Sequence, residues 1–192
     1  MKRDYLLDLM RARATVFTSN DVALLWEAPD VQFVRKKLYR YVKAGKLYAI
    51  RRGIYSKDEE YSKLELATKI FTPAYVSFET VLAKAGVVFQ FYSQIFVASY
   101  LTREIAVSGQ TYVFKRIRES ILTSRTGIEQ KDNCFIATPE RAFLDVLYLN
   151  KDYHFDNLGT LKWDKVESIL PIYGNQRMAA RVKAYRQARE KA

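Results

Sequence analysis

A chain of 192 residues that is 49% hydrophobic and 14% aromatic can bury real cores in two small domains or one medium one, which excludes a disordered tail. Its net charge of +11 asks for an anionic partner, either nucleic acid, a membrane surface or an acidic protein. No apolar run approaches the ~20 residues of a bilayer span, and the start MKRDYLLDLMRAR breaks its apolar stretch with acids and arginines, unlike a signal peptide, so the expected setting is cytoplasmic with no membrane partner. The charge is uneven. Residues 1–56 carry +7, residues 57–174 carry −1, and residues 175–192 carry +5.

In chain order, residues 3–12 predict a first helix through Tyr5, Leu6, Leu9 and Met10. Thr18-Ser19-Asn20-Asp21 offers cap residues for a short second helix over VALLW. After Pro29, suited to a first helical turn, Val31, Val34, Leu38, Tyr41 and Val42 recur at helical spacing, and Gly45 closes the helix. Its other side carries Gln32, Arg35, Lys36, Tyr39, Arg40 and Lys43. Two strand-like runs follow, Leu47–Ile50 and Ile54–Ser56, separated by Arg51-Arg52-Gly53, where glycine can take the positive φ of a tight turn. Helix, turn, basic helix and two-stranded ribbon together spell a winged helix-turn-helix over residues 1–56. The donor-rich side chains of the helix suit base edges in the major groove of double-stranded DNA, and Arg51 and Arg52 at the wing tip suit phosphates or the minor groove. A merely solvated basic surface is the competing explanation.

Residues 57–192 predict a second, α/β domain with enough apolar helix and strand to fold alone. A helix over Tyr61–Phe71 ends at Pro73, and Ser77 is placed to cap another over FETVLAKAG with Glu79 near its positive end. IFVASY, REIAVSG, TYVFKRI and CFIAT predict a small, mostly antiparallel sheet, with Glu119–Asn133 as a polar loop turning at Gly127. Thr138-Pro139-Glu140 starts a helix in which Ala142 and Leu144 pack and Arg141 pairs with Asp145 across one turn of the surface. Trp163–Leu170 and Asn175–Lys191 predict two final helices. On the last, Met178, Val182 and Tyr185 dock inward. Arg177, Arg181, Lys183, Arg186 and Arg189 point partly outward, toward DNA phosphate or an acidic partner face unless they only solubilise the end. The fold class is therefore α+β.

The single Cys134 sits in CFIAT as a small buried hydrophobe, and the single His154 sits in a polar stretch as a solvated loop residue. No metal site or cofactor is expected from them. There is no Asp-x-Asp pair and no glycine-rich phosphate loop, so no catalytic constellation is visible and an enzyme acting on nucleic acid is the least favoured class.

Three stretches, residues 34–56, YVSFETVLAKAGV at 75–87 and TPERAFLD at 138–145, resemble the AbiEi family, antitoxins of type IV toxin–antitoxin systems. The resemblance spans about three quarters of the chain, and TPERAFLD after a strand is its most discriminating part. It implies a winged helix that represses the chain's own operon and a second domain that neutralises a cognate nucleotidyltransferase-like toxin. A solitary regulator with a sensing or dimerising second domain shares the same sequence features.

Overall fold

Thr18 caps the second helix of the amino-terminal unit in a computed structural model that describes residues 3–190. Its hydroxyl accepts from the Asp21 backbone N–H, while the Asp21 carboxylate accepts from the Thr18 N–H, a reciprocal capping box. The unit runs α1 (Tyr5–Arg11), β1 (Val16–Thr18), α2 (Ser19–Trp26), α3 (Val31–Lys43), β2 (Tyr48–Arg51) and β3 (Ile54–Ser56). Asp30 caps α3 by accepting from the Phe33 N–H, so Pro29 lies just outside the helix rather than in its first turn. The strands form an antiparallel sheet in the order β1-β3-β2. β1 was not expected: three residues are too few to display alternation. Leu9, Phe17, Val22, Trp26, Val34, Leu38 and Leu47 make the core beneath α3.

The body follows as α4 (Lys63–Ile70), β4 (Ala74–Val76), α5 (Glu79–Lys84), β5 (Ile95–Ser99), β6 (Arg103–Val107), β7 (Gln110–Arg116), α6 (Glu119–Leu122), β8 (Ile128–Lys131), β9 (Cys134–Ala137), α7 (Pro139–Leu149), α8 (Trp163–Ile169), a 3-10 turn at Leu170–Tyr173, and α9 (Gln176–Glu190). Six strands lie in the order β6-β7-β5-β4-β9-β8. The sheet is mixed: three of its five pairings are antiparallel, as expected of most, while β5 pairs with β7 and β4 with β9 in parallel. The β5–β7 pairing is parallel because the β6–β7 hairpin, which turns at Ser108-Gly109 with positive φ at both residues, returns β7, not β6, to the side of β5. The Glu119–Asn133 segment is likewise more than a loop. It holds α6 and β8, whose polar sequence hid them: β8 is an edge strand with three exposed residues of four.

Two cap expectations also change. Ser77 does not cap α5; Phe78, at φ 55°, precedes that helix, and the buried Ser77 hydroxyl turns to Asp145 instead. The Arg141–Asp145 pair is not on the surface, since both side chains have 0% exposure.

The two units are joined by more than a linker. Val16 and Ile54 of the amino-terminal sheet belong to the same hydrophobic core as Leu66, Ala67 and Val76 of the body. α4 packs against β1 of the amino-terminal unit as well as β4, β5 and β9 of the body. Beside this contact the buried Glu65 carboxylate accepts from the Thr15 N–H at 2.9 Å and the Thr15 hydroxyl at 2.7 Å. Lys69 of α4 reaches Asp21 of α2 at 2.7 Å.

Candidate nucleic-acid interface

α3 turns two faces. Val34 and Leu38, one turn apart, are fully buried against Leu9 and Trp26. Opposite them Gln32, Arg35, Lys36, Tyr39, Arg40 and Lys43 are all exposed. Lys37 departs from this set: its ammonium lies 3.8 Å from the Tyr5 ring centroid and 5.5 Å from that of Phe33, which ties it to α1. Among the described residues Arg35, Lys36, Arg40 and Lys43 enter no ion pair, and Lys43 rests 5.4 Å over Tyr39. A row of uncompensated cations along a rigid, capped helix is an electrostatic footprint for a polyanion.

The hairpin begins four residues after α3, and the Lys46 N–H donates to the Tyr41 carbonyl to fix the exit. Arg51 closes β2 and Arg52 stands in the turn, both exposed, while Gly53 takes φ 78°. The register shifts between Ala49 and Arg51, a bulge of the kind that re-aims a side chain at a hairpin tip. Lys46 and Tyr48 are exposed on this approach as well. The sequence offered no reason to single them out, because neither falls on the α3 repeat.

The carboxy-terminal cations do not act as one surface. Met178 and Val182 are buried as expected. Arg177, Lys183 and Arg189 are exposed. Arg181 is not outward: its guanidinium donates to the carbonyls of Leu147, Asn150 and Lys151 at 2.7–2.8 Å, filling the open end of α7. Arg186 is half-buried and pairs with Glu167 of α8.

The TPERAFLD stretch proves to be the most buried part of the molecule. Thr138 caps α7, the Glu140 carboxylate accepts from the Lys162 N–H at 3.2 Å, and Arg141 donates to Asp145, to the Tyr75 hydroxyl and to the carbonyls of Ile121 and Thr126. Asp145 also accepts from the hydroxyls of Ser77 at 2.7 Å, Tyr173 at 2.7 Å and Tyr75 at 3.0 Å. Burial pushes the Asp145 carboxyl up from its ordinary value, and the Arg141 guanidinium with these hydroxyls pulls against that. Every partner donates to the carboxylate, which is the arrangement of an ionised pair. Burial raises the Tyr75 and Tyr173 hydroxyls well above the usual phenol range. This cluster locks α6, β4 and the 3-10 turn onto α7 and is closed to solvent.

No family model matches the chain, and no curated protein matches it. Cys134 is buried, and burial raises its thiol. His154 is exposed, its ring 3.8 Å from Asp156. Among the described residues no group of three or more His, Cys, Asp or Glu side chains is placed to hold a metal ion, and no helix is long and apolar enough to cross a membrane.

Proposed function

We propose that the chain is a DNA-binding antitoxin that represses its own operon through the amino-terminal unit and neutralises a nucleotidyltransferase-like toxin through the body. The observation that carries the DNA half is the outer face of α3, where six exposed polar, aromatic and basic side chains face away from a fully packed core, followed at once by a hairpin bearing Arg51 and Arg52. The order helix, strand, helix, helix, strand, strand supports the winged-helix reading of this unit. The antitoxin half draws on the resemblance of residues 34–56, 75–87 and 138–145 to the AbiEi family. Its physical support is an exposed aromatic loop after α5, where Phe89 and Phe91 are 72% and 92% exposed, apolar area of the sort a protein partner covers.

The test uses promoter DNA from the chain's own operon and a growth assay with the neighbouring toxin gene. Arg35→Ala with Arg40→Ala should lose discrimination for the promoter, by ~1–3 kcal/mol for each bidentate base contact removed. Arg51→Ala should weaken all sequences alike and flatten the salt dependence by roughly one phosphate contact. Promoter binding unchanged in the double variant would sink the DNA reading. Phe89→Ser with Phe91→Ser should abolish growth rescue while promoter titrations overlay the parent; intact rescue would remove this loop from the toxin contact.

A further inference from the structure

A cleft of about 600 Å³ opens where the start of α2 faces the body. That volume falls within the roughly 300–1,000 Å³ of small-molecule sites. Its lining combines polar side chains, among them Asn20, Arg125 and Asn133, with apolar ones, among them Leu122, Ile128 and Phe135. Mostly apolar lining with a few polar groups is the composition of sites that bury one part of a ligand and fix its orientation through a small number of polar contacts.

The charges of the cleft do not balance. Lys69 is spent on Asp21 at 2.7 Å, but Arg125 has no carboxylate partner among the described residues. Its guanidinium lies 4.2 Å from the Phe135 ring centroid, which orients the planar fork and leaves its N–H edge for an anion. The wall that carries it is fixed from behind: Arg141 donates to the carbonyls of Ile121 and Thr126, which bracket residues 122–125. Gly127, at φ 74°, follows directly, and a Cβ there would lie 2.9 Å from that of Arg141. The Arg125 wall is therefore preorganised by the buried network. Around it Asn20 and Asn133 offer amides and Thr72 and Ser124 offer hydroxyls.

We propose that this cleft binds a nucleoside monophosphate, with the phosphate on Arg125 and the nucleoside against the apolar lining and the amides of Asn20 and Asn133. A bare inorganic anion would leave most of the volume and the apolar lining unused. A purely apolar ligand would leave the guanidinium unanswered. The site takes its walls from both units, so the ligand bridges α2, the helix that packs on α3, to the body.

Isothermal titration of the full chain with AMP, GMP, CMP and UMP, without DNA, reads this directly and independently of the DNA reading. At least one nucleotide should bind saturably, and Arg125→Ala, an exposed position whose loss leaves the core intact, should weaken it about tenfold or more. Arg35→Ala with Arg40→Ala should bind as the parent does, which separates the cleft from nucleotide held on the basic helix. No saturable binding at millimolar nucleotide by natively melting protein would overturn the proposal, as would equal affinity in Arg125→Ala. Inorganic phosphate competing as well as the nucleotide would overturn the nucleoside part of it.

Discussion

Asp145 and Arg141 show how far a residue's role can sit from its spacing. The i, i+4 relation was plain in the sequence and would be worth only ~0.3–0.5 kcal/mol on a surface. At 0% exposure the same pair holds three segments together, and removing one partner strands the other without water. Arg141→Met should therefore cost about 3–5 kcal/mol in urea unfolding, and a loss below 1 kcal/mol would mean that Asp145 finds other compensation. The sequence could not reveal this burial, because the groups that satisfy the pair, Tyr75, Ser77 and Tyr173, come from 66 or more positions upstream and 28 downstream. Cys134 was legible by contrast, a small apolar residue inside CFIAT. Its raised thiol, 3% exposed, should resist iodoacetamide at neutral pH in native protein and react at once in denaturant. Rapid native alkylation would contradict that environment.

At the scale of elements, long periodic helices were readable and short strands were not. α3 is legible because its apolar stripe and the closing Gly45 agree, although the helix starts at Val31 behind the Asp30 cap and leaves Pro29 outside. β1 and β4 have three residues each, and β4 is buried throughout, so neither shows a period. The inward turn of Arg181 on α9 is hidden for a different reason: a long arginine reaches carbonyls at the end of another helix, 30 to 34 positions earlier in the chain, and no local pattern marks it. Arg181→Gln should cost ~1–3 kcal/mol by leaving the carbonyls of Leu147, Asn150 and Lys151 without their charged donor. Lys183→Gln, at an exposed position, should stay within about 0.5 kcal/mol. Equal losses in the two would undo the capping role.

For the whole molecule, the decisive contact is between the units. Burial alone would raise the Asp21 carboxyl, but hydrogen bonds from Lys69 and Thr18 outweigh it and hold the group below its ordinary value. A carboxyl depressed in the folded state contributes stability above its unfolded value of about 3.9, and loses it as pH falls through the folded value. Acid unfolding below about pH 4 should therefore be shallower in Lys69→Met than in the parent, and superimposable acid limbs would show the bridge to be idle. A fragment starting at Lys57 would lose Val16 and Ile54 from the core and Thr15 from the buried Glu65. The sequence read as a body able to fold alone, since a shared core cannot be seen from composition; circular dichroism of this fragment should instead show a broad, lowered transition.

Shared burial also constrains what genetics can separate. Because Val16 and Ile54 of one unit and Leu66 of the other sit in one core, the chain should melt as a single calorimetric event. On the proposed antitoxin reading, a screen for alleles that lose repression alone should then yield changes at exposed positions such as Arg35, Arg40 or Arg52. Temperature-sensitive alleles at core positions should lose the proposed repression and toxin neutralisation together, at the same temperature, whichever unit carries the lesion.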